Sequence, residues 1–143
     1  MNQKHKICVV GAGKWGINHI RTLSELNCLG GIVEKDGSVR EKMENDYPGC
    51  LIFSDLNESF KFNFDGYVVS TPPLTHYEIA KKIISRDNHI LVEKPLTMNL
   101  QEAIDLNDLA KNHKVNLMVG HVLLFHPASV SYTHLTLPTI LLV

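Results

Sequence analysis

Short apolar runs alternate along this chain with longer stretches whose apolar residues recur at helical spacing. That is the pattern of a parallel sheet wrapped by helices. Ile7-Cys8-Val9-Val10 reads as a first strand, apolar on both faces as a central parallel strand must be. Trp15 to Leu26 reads as a helix with Ile20 and Leu23 toward the sheet. Leu29 to Glu34 is a second strand, and Ser38 to Asp46 a polar helix stopped by Pro48-Gly49. Leu51-Ile52-Phe53 is a short third strand, after which Asp55 and Glu58 have capping-box spacing for one helical turn. Gly66 to Ser70 is a fourth strand, and Leu74 to Ser85 a helix with Ala80, Ile83 and Ile84 at core spacing. His89 to Val92 is a fifth strand. A helix then runs from Asn99, with Glu102 behind it, to about Asn112, and its Ala103, Leu106 and Ala110 share a face. Val115 to Gly120 completes a sixth strand. This order predicts an α/β fold, a doubly wound parallel sheet without internal linker or repeat.

The pattern fails near the end. From about Ser131 the chain has neither helical nor strand periodicity and almost no charge. Ser-Tyr-Thr-His-Leu-Thr-Leu-Pro-Thr-Ile-Leu-Leu-Val resembles a translated sequencing-adapter read-through; the other reading is a hydrophobic C-terminal strand.

Composition removes several function classes. The 143 residues suit one domain with a core, and a net charge of −1 offers no bulk attraction to nucleic acid or anionic membrane. The apolar runs are too short for a bilayer. Met1 to Lys6 leads straight into the first strand with no small-residue cleavage site, so no signal peptide is expected. Cys8, Cys28 and Cys50 are odd in number and widely spaced. They predict reduced thiols in a cytoplasmic protein, with neither a disulfide frame nor a metal site.

Between the first strand and first helix stands Gly11-Ala12-Gly13-Lys14-Trp15-Gly16, a G-x-G-x-x-G run. Gly11 allows a tight turn, Gly13 lets backbone approach a pyrophosphate, and Gly16 lets the helix pack close to the strand. The helix N-terminus then faces the anion. The expected division is a dinucleotide-binding Rossmann domain over 1–129 and a non-native or irregular tail over 130–143. Glu34 ends the second strand, where a carboxylate accepts hydrogen bonds from ribose hydroxyls and repels a 2′-phosphate. NAD is therefore expected over NADP, with Lys35 partly offsetting the repulsion; the bland reading of Glu34 is a solvated charge at a strand end.

Ser70-Thr71-Pro72-Pro73-Leu74-Thr75-His76 leaves the fourth strand on the side where open parallel sheets bind ligands. The prolines fix an extended backbone able to lie along a dinucleotide, or simply a stiff turn. His76 reads equally as a site residue or a first-turn surface histidine. Glu93-Lys94-Pro95 ends the fifth strand on the same rim. An ammonium or acid/base group there would assist loss of a hydroxyl proton as hydride leaves carbon. Equally, Lys94 pairs with Glu93 or a phosphate and serves structure only.

Gly-Ala-Gly-Lys-Trp-Gly, Ser-Thr-Pro-Pro-Leu-Thr-His, Glu-Lys-Pro-Leu and Gly-His-Val-Leu-Leu-Phe-His-Pro-Ala occur here in this order. Through them residues 6 to 129 resemble the N-terminal domain of the Gfo/Idh/MocA oxidoreductases. The resemblance implies that Lys94 is catalytic and that Glu93 and Pro95 shape the nicotinamide end. It also implies that Thr71, Pro72 and His76 line the cofactor. A sugar, cyclitol or sugar-nucleotide substrate follows from it, as does a homo-oligomeric full-length parent. So does a second α+β domain, missing here, that carries the substrate pocket and an Asp and a His working with the lysine.

Many members carry an Asn-Arg pair where this chain has Val122-Leu123-Leu124. The Gly-His…Phe-His-Pro variant looks more like members acting on nucleotide-linked amino sugars, such as UDP-N-acetylglucosamine 3-dehydrogenase-like proteins. In that case His121 and His126 would stand at the substrate side; otherwise they are polar residues at a domain junction. The remaining functional readings are a non-catalytic dinucleotide-binding module and redox-neutral, NAD-dependent glycoside cleavage.

Overall fold

The computed structural model describes residues 5–121. Its six strands are β1 (Ile7–Val10), β2 (Leu29–Val33), β3 (Leu51–Phe53), β4 (Gly66–Val69), β5 (His89–Val92) and β6 (Leu117–Val119). All pairings are parallel, in the order β3-β2-β1-β4-β5-β6. The helices are α1 (Gly16–Glu25), α2 (Gly37–Asp46), α3 (Leu56–Ser59), α4 (His76–Ile84) and α5 (Leu100–His113).

Strand alternation divides the core between two faces. Val9, Ile32 and Val68 pack with Ile20 of α1 and Met43 of α2. Cys8, Val10, Val33 and Val69 pack with Ile83 of α4 and Leu106 of α5 on the other side. Helices therefore cover both faces of the sheet, the doubly wound arrangement expected from the sequence. On the second face Phe64 packs edge-on against Phe53 and Tyr67. A methyl group added to Gly31 would lie 2.8 Å from the Phe64 ring, so β2 stays bare where the ring crosses it.

The element boundaries differ from the sequence reading at a few places, each for a local reason. The expected sixth strand loses its first residues to the end of α5. Lys114 turns left-handed (φ 56°), and the Val115 N–H closes the helix on the Ala110 carbonyl. The Pro72-Pro73 pair delays α4: a 3-10 turn over Pro73–Thr75 precedes it, and the α-helix proper begins at His76. The Asp55/Glu58 box is only half formed. Asp55 accepts from the Asn57 N–H, whereas Glu58 accepts from the Ser54 N–H outside the cap. At α5 the Asn99 side chain accepts from the Glu102 N–H at 2.9 Å.

Among the described residues, no helix is long and apolar enough to cross a membrane. The tail from residue 130, His126 and the apolar Val122-Leu123-Leu124 lie outside the described residues.

Candidate functional site

The carboxyl ends of β1, β2, β4 and β5 form one rim, and the glycine loop occupies its middle. The Gly11 N–H donates to the Val33 carbonyl (2.8 Å), and the Ser70 N–H donates to Val10 (2.9 Å). These bonds lock the exits of three neighbouring strands together. Gly11 has φ +94°, a conformation that favours glycine, and a methyl there would meet the Ser70 carbonyl oxygen. A methyl on Gly16 would overlap the Gly11 carbonyl oxygen. The close approach made by Gly16 is therefore between the first residue of α1 and the loop at the exit of β1. Gly13 differs from both, since a methyl there would enter open space.

Beyond Gly13 the start of α1 is uncapped. Trp15 occupies the N-cap without a side-chain hydrogen bond, and the first turn holds no acidic residue. A helix start without a side-chain cap or an acidic residue attracts an anion through its dipole. Ala12 is buried in the loop, whereas Lys14 and Trp15 are exposed beside it.

Glu34 sits just past β2 and is only half-buried, but its carboxylate is not simply solvated. One oxygen accepts from the Ala12 N–H at 2.7 Å and the other from the Asp36 N–H at 3.0 Å. The phosphate loop thus fixes the acidic residue directly. Arg40 of α2 caps the same turn, donating to the Glu34 and Lys35 carbonyls at 3.0 and 2.7 Å.

A cavity of about 550 Å³ opens against this rim and is lined by Gly11, Gly13, Glu34, Ser70, Thr71 and Pro72, among others. Ser54 and Asp55 from the β3–α3 turn and Asn57 of α3 join them, as do Glu78 and Lys82 of α4. Sequence reasoning missed these five. The carboxyl-end rule applied to the first, second, fourth and fifth strands would have found the β3 group had it been applied to the third strand as well. The Ser70 hydroxyl is buried, and no hydrogen-bond partner meets it among the described residues. An open glycine face, an uncapped helix start and an orphaned hydroxyl on one wall fit a dinucleotide with its pyrophosphate over Gly13.

The rest of the rim lies outside that cavity. Lys94 leaves β5 exposed, and its ammonium makes no ion pair among the described residues; the Lys94–Pro95 peptide is cis. Glu93 does not pair with the lysine side chain. One carboxylate oxygen lies 2.7 Å from Nε2 of His19 on α1, and the other accepts the Lys94 backbone N–H at 3.2 Å. Pro73 is exposed at the start of the 3-10 turn.

His76 is neither a surface residue nor a lining one. Its ring is fully buried beneath the rim, with Nδ1 2.8 Å from the Pro95 carbonyl oxygen and Nε2 2.8 Å from that of Thr71. The first-turn position suggested exposure; the two carbonyls explain why the ring turns inward instead. His19 and its bond to Glu93 had no sequence signal, because the two lie 74 positions apart.

Burial pushes the Cys50 thiol up to about 11 and holds Cys8, inside β1, higher still. Neither presents a thiolate near neutrality, which rules both out as nucleophiles there. No group of three or more His, Cys, Asp or Glu side chains able to hold a metal occurs among the described residues.

The comparisons with known proteins agree with this geometry. The family described as "Oxidoreductase family, NAD-binding Rossmann fold" (GFO_IDH_MocA) matches residues 5–121. UDP-N-acetylglucosamine 3-dehydrogenase of Acidithiobacillus ferrooxidans is 26% identical over 120 residues, covering 84% of this chain and 38% of the relative. Inositol 2-dehydrogenase of Arthrobacter sp. is 29% identical over 107 residues, covering 72% and 32%. Among solved structures, GenD2 from gentamicin A biosynthesis in complex with NAD superposes with a TM-score of 0.86 at 28% identity. That match covers 94% of this chain and 39% of GenD2. The chain spans less than half the length of the curated relatives it matches. On the family match, the strand order and the glycine rim together, the chain belongs to the Gfo/Idh/MocA oxidoreductase family and carries its NAD-binding Rossmann fold.

Proposed function

We propose that this chain is the cofactor-binding half of a dehydrogenase acting on a ring alcohol of a sugar, cyclitol or sugar nucleotide, with Lys94 handling the hydroxyl proton. The observation that carries the reading is Lys94 itself, a lysine without an ion pair among the described residues at the exit of an apolar strand on the cofactor rim. The names of the two curated dehydrogenases above support the substrate class.

NAD, when bound, supplies the hydride acceptor. Gly13 and the start of α1 would hold its pyrophosphate, and the Glu34 carboxylate, set by the Ala12 N–H, would accept from the adenosine ribose. Ser70, Thr71 and Pro72 wall the cavity on the β4 side. As hydride leaves the carbinol carbon, the Lys94 amine takes the hydroxyl proton, and in the reverse direction it gives the proton back. A second domain supplies the substrate pocket, in a cytoplasmic homo-oligomer.

The test uses a full-length protein carrying this segment. Replacing Lys94 by Met is expected to lower kcat by about 10²–10⁴-fold while NADH binding, read from Trp15 emission, persists. Undiminished turnover removes the lysine from the chemistry. NADH binding without turnover of any ring alcohol by the unmutated protein favours a binding module instead.

A further inference from the structure

We propose that His19 and His76 are positioning residues for Lys94, each tying one neighbour of the lysine to a different part of the cofactor site. The inference rests on the reading of Lys94 as the proton-handling group. Its evidence is separate, because the hydrogen bonds of the two histidines run to Glu93, Pro95 and Thr71 and not to the lysine side chain.

An exposed lysine whose ammonium has no ion-pair partner among the described residues is placed by its backbone. On the upstream side the Lys94 N–H donates to Glu93, whose other carboxylate oxygen lies 2.7 Å from His19 Nε2. His19 belongs to α1, the helix that the phosphate loop opens. The Glu93 side chain is only 12% exposed, and His19 is 26% exposed, so the bond is sheltered from the screening that makes surface pairs weak. Gly120 encloses the same carboxylate: a methyl there would lie 3.1 Å from it, so any side chain would press on Glu93.

On the downstream side, Pro95 offers its carbonyl to His76 Nδ1 while Nε2 faces the Thr71 carbonyl, both at 2.8 Å. Carbonyl oxygens only accept, so whichever ring nitrogen carries hydrogen donates to one of them. The ring is fully buried. Losing it would leave two carbonyls facing the interior with nothing to accept. It therefore stitches the Thr71-Pro72 cavity wall to the peptide that follows Lys94. A shift of α1 reaches the lysine through Glu93, and a shift of the Thr71 loop reaches it through Pro95. Seating the cofactor and aiming the lysine then become one event.

The experiment is heteronuclear NMR on the 143-residue chain, following the Lys94 amide and the histidine ring nitrogens with and without saturating NADH. A His76 ring N–H held by a carbonyl and slow to exchange with water is expected; a ring N–H exchanging as fast as a free imidazole's overturns the His76 half. NADH is expected to move the Lys94 amide signal. His19→Phe should reduce that response to less than half, and His19→Gln, whose side-chain N–H still donates to Glu93, should restore most of it. A Lys94 response unchanged in His19→Phe, or equally lost in both variants, overturns the His19 half. His76→Phe repeats the test on the other side, and its ring signature in the unmutated chain stands even if that variant does not fold. None of these signals requires turnover. Failure of Lys94→Met to slow the full-length enzyme would remove the catalytic reading and leave the brace intact.

Discussion

At the β1 exit the rim is shaped by side chains that are absent, and at the β5 exit by side chains that hold on. Around Gly11, Gly13 and Gly16 the backbone folds so tightly that a methyl collides at two positions and finds open space at the third. Around Lys94 the backbone is unexceptional in composition but is gripped by a carboxylate, a half-buried imidazole and a fully buried one. The first construction suits an anion that must lie against bare peptide N–H groups. The second suits a side chain that must point reproducibly into space that a substrate enters. One domain thus presents a bare loop at β1 and a braced backbone at β5, with β4 between them.

The sharpest way to break this contrast is to put a methyl on each kind of glycine. Gly16→Ala drives a methyl into the Gly11 carbonyl and is expected to cost about 3 kcal/mol in denaturant unfolding, with NADH binding lost. Gly13→Ala enters open space and should leave stability within about 0.5 kcal/mol while still weakening NADH binding. Equal losses of stability would mean that the loop glycines do not divide between folding and binding.

Glu34→Ala should have a smaller effect, on cofactor choice and on the loop whose Ala12 N–H it leaves without its acceptor. Removing a charged hydrogen-bond acceptor and its repulsion is expected to narrow the preference for NADH over NADPH by about tenfold, read from Trp15 emission. Tighter NADPH binding by the unmutated chain would sink the ribose role of Glu34.

The least effect near neutrality comes from thiols away from both ends of the rim. Burial raises Cys50 from the ordinary 9.0 to about 11, and raises Cys8 further. The unfolded chain ionises these thiols first. Their contribution to stability is therefore complete below pH 9.0 and drains away as the pH climbs through about 11. Unfolding midpoints measured from pH 7 to 11 should be flat at first and then fall; Cys50→Ser should soften the fall.

The contrast also explains what the sequence could reveal. Strand and helix identities were legible because apolar period and turn residues are local, and the six strands lie where that pattern puts them. Gly11 and Glu34 stood out because their chemistry belongs to a spacing. The bond between Glu34 and the Ala12 N–H did not, since no local pattern records which N–H a carboxylate chooses. The grip on Lys94 was hidden for the same reason: His19 and Glu93 meet only after α1 and β5 have packed on one sheet. His76 was ambiguous because a histidine opening a helix faces either way until its acceptors are known. Two positions of the expected sixth strand went to a left-handed helix end at a lysine, where glycine would have announced it.

β1 carries a further consequence. It precedes every other described strand along the chain, yet it lies inside the sheet, with Ile7 beside Leu29 on one flank and Gly66 on the other. During translation the β2 flank can close early, while the other stays open until more than a third of the chain has followed. Until β4 arrives, the hydrogen-bonding edge of β1 is an unfinished seam, and a chaperone or a neighbouring nascent chain would meet this protein there first.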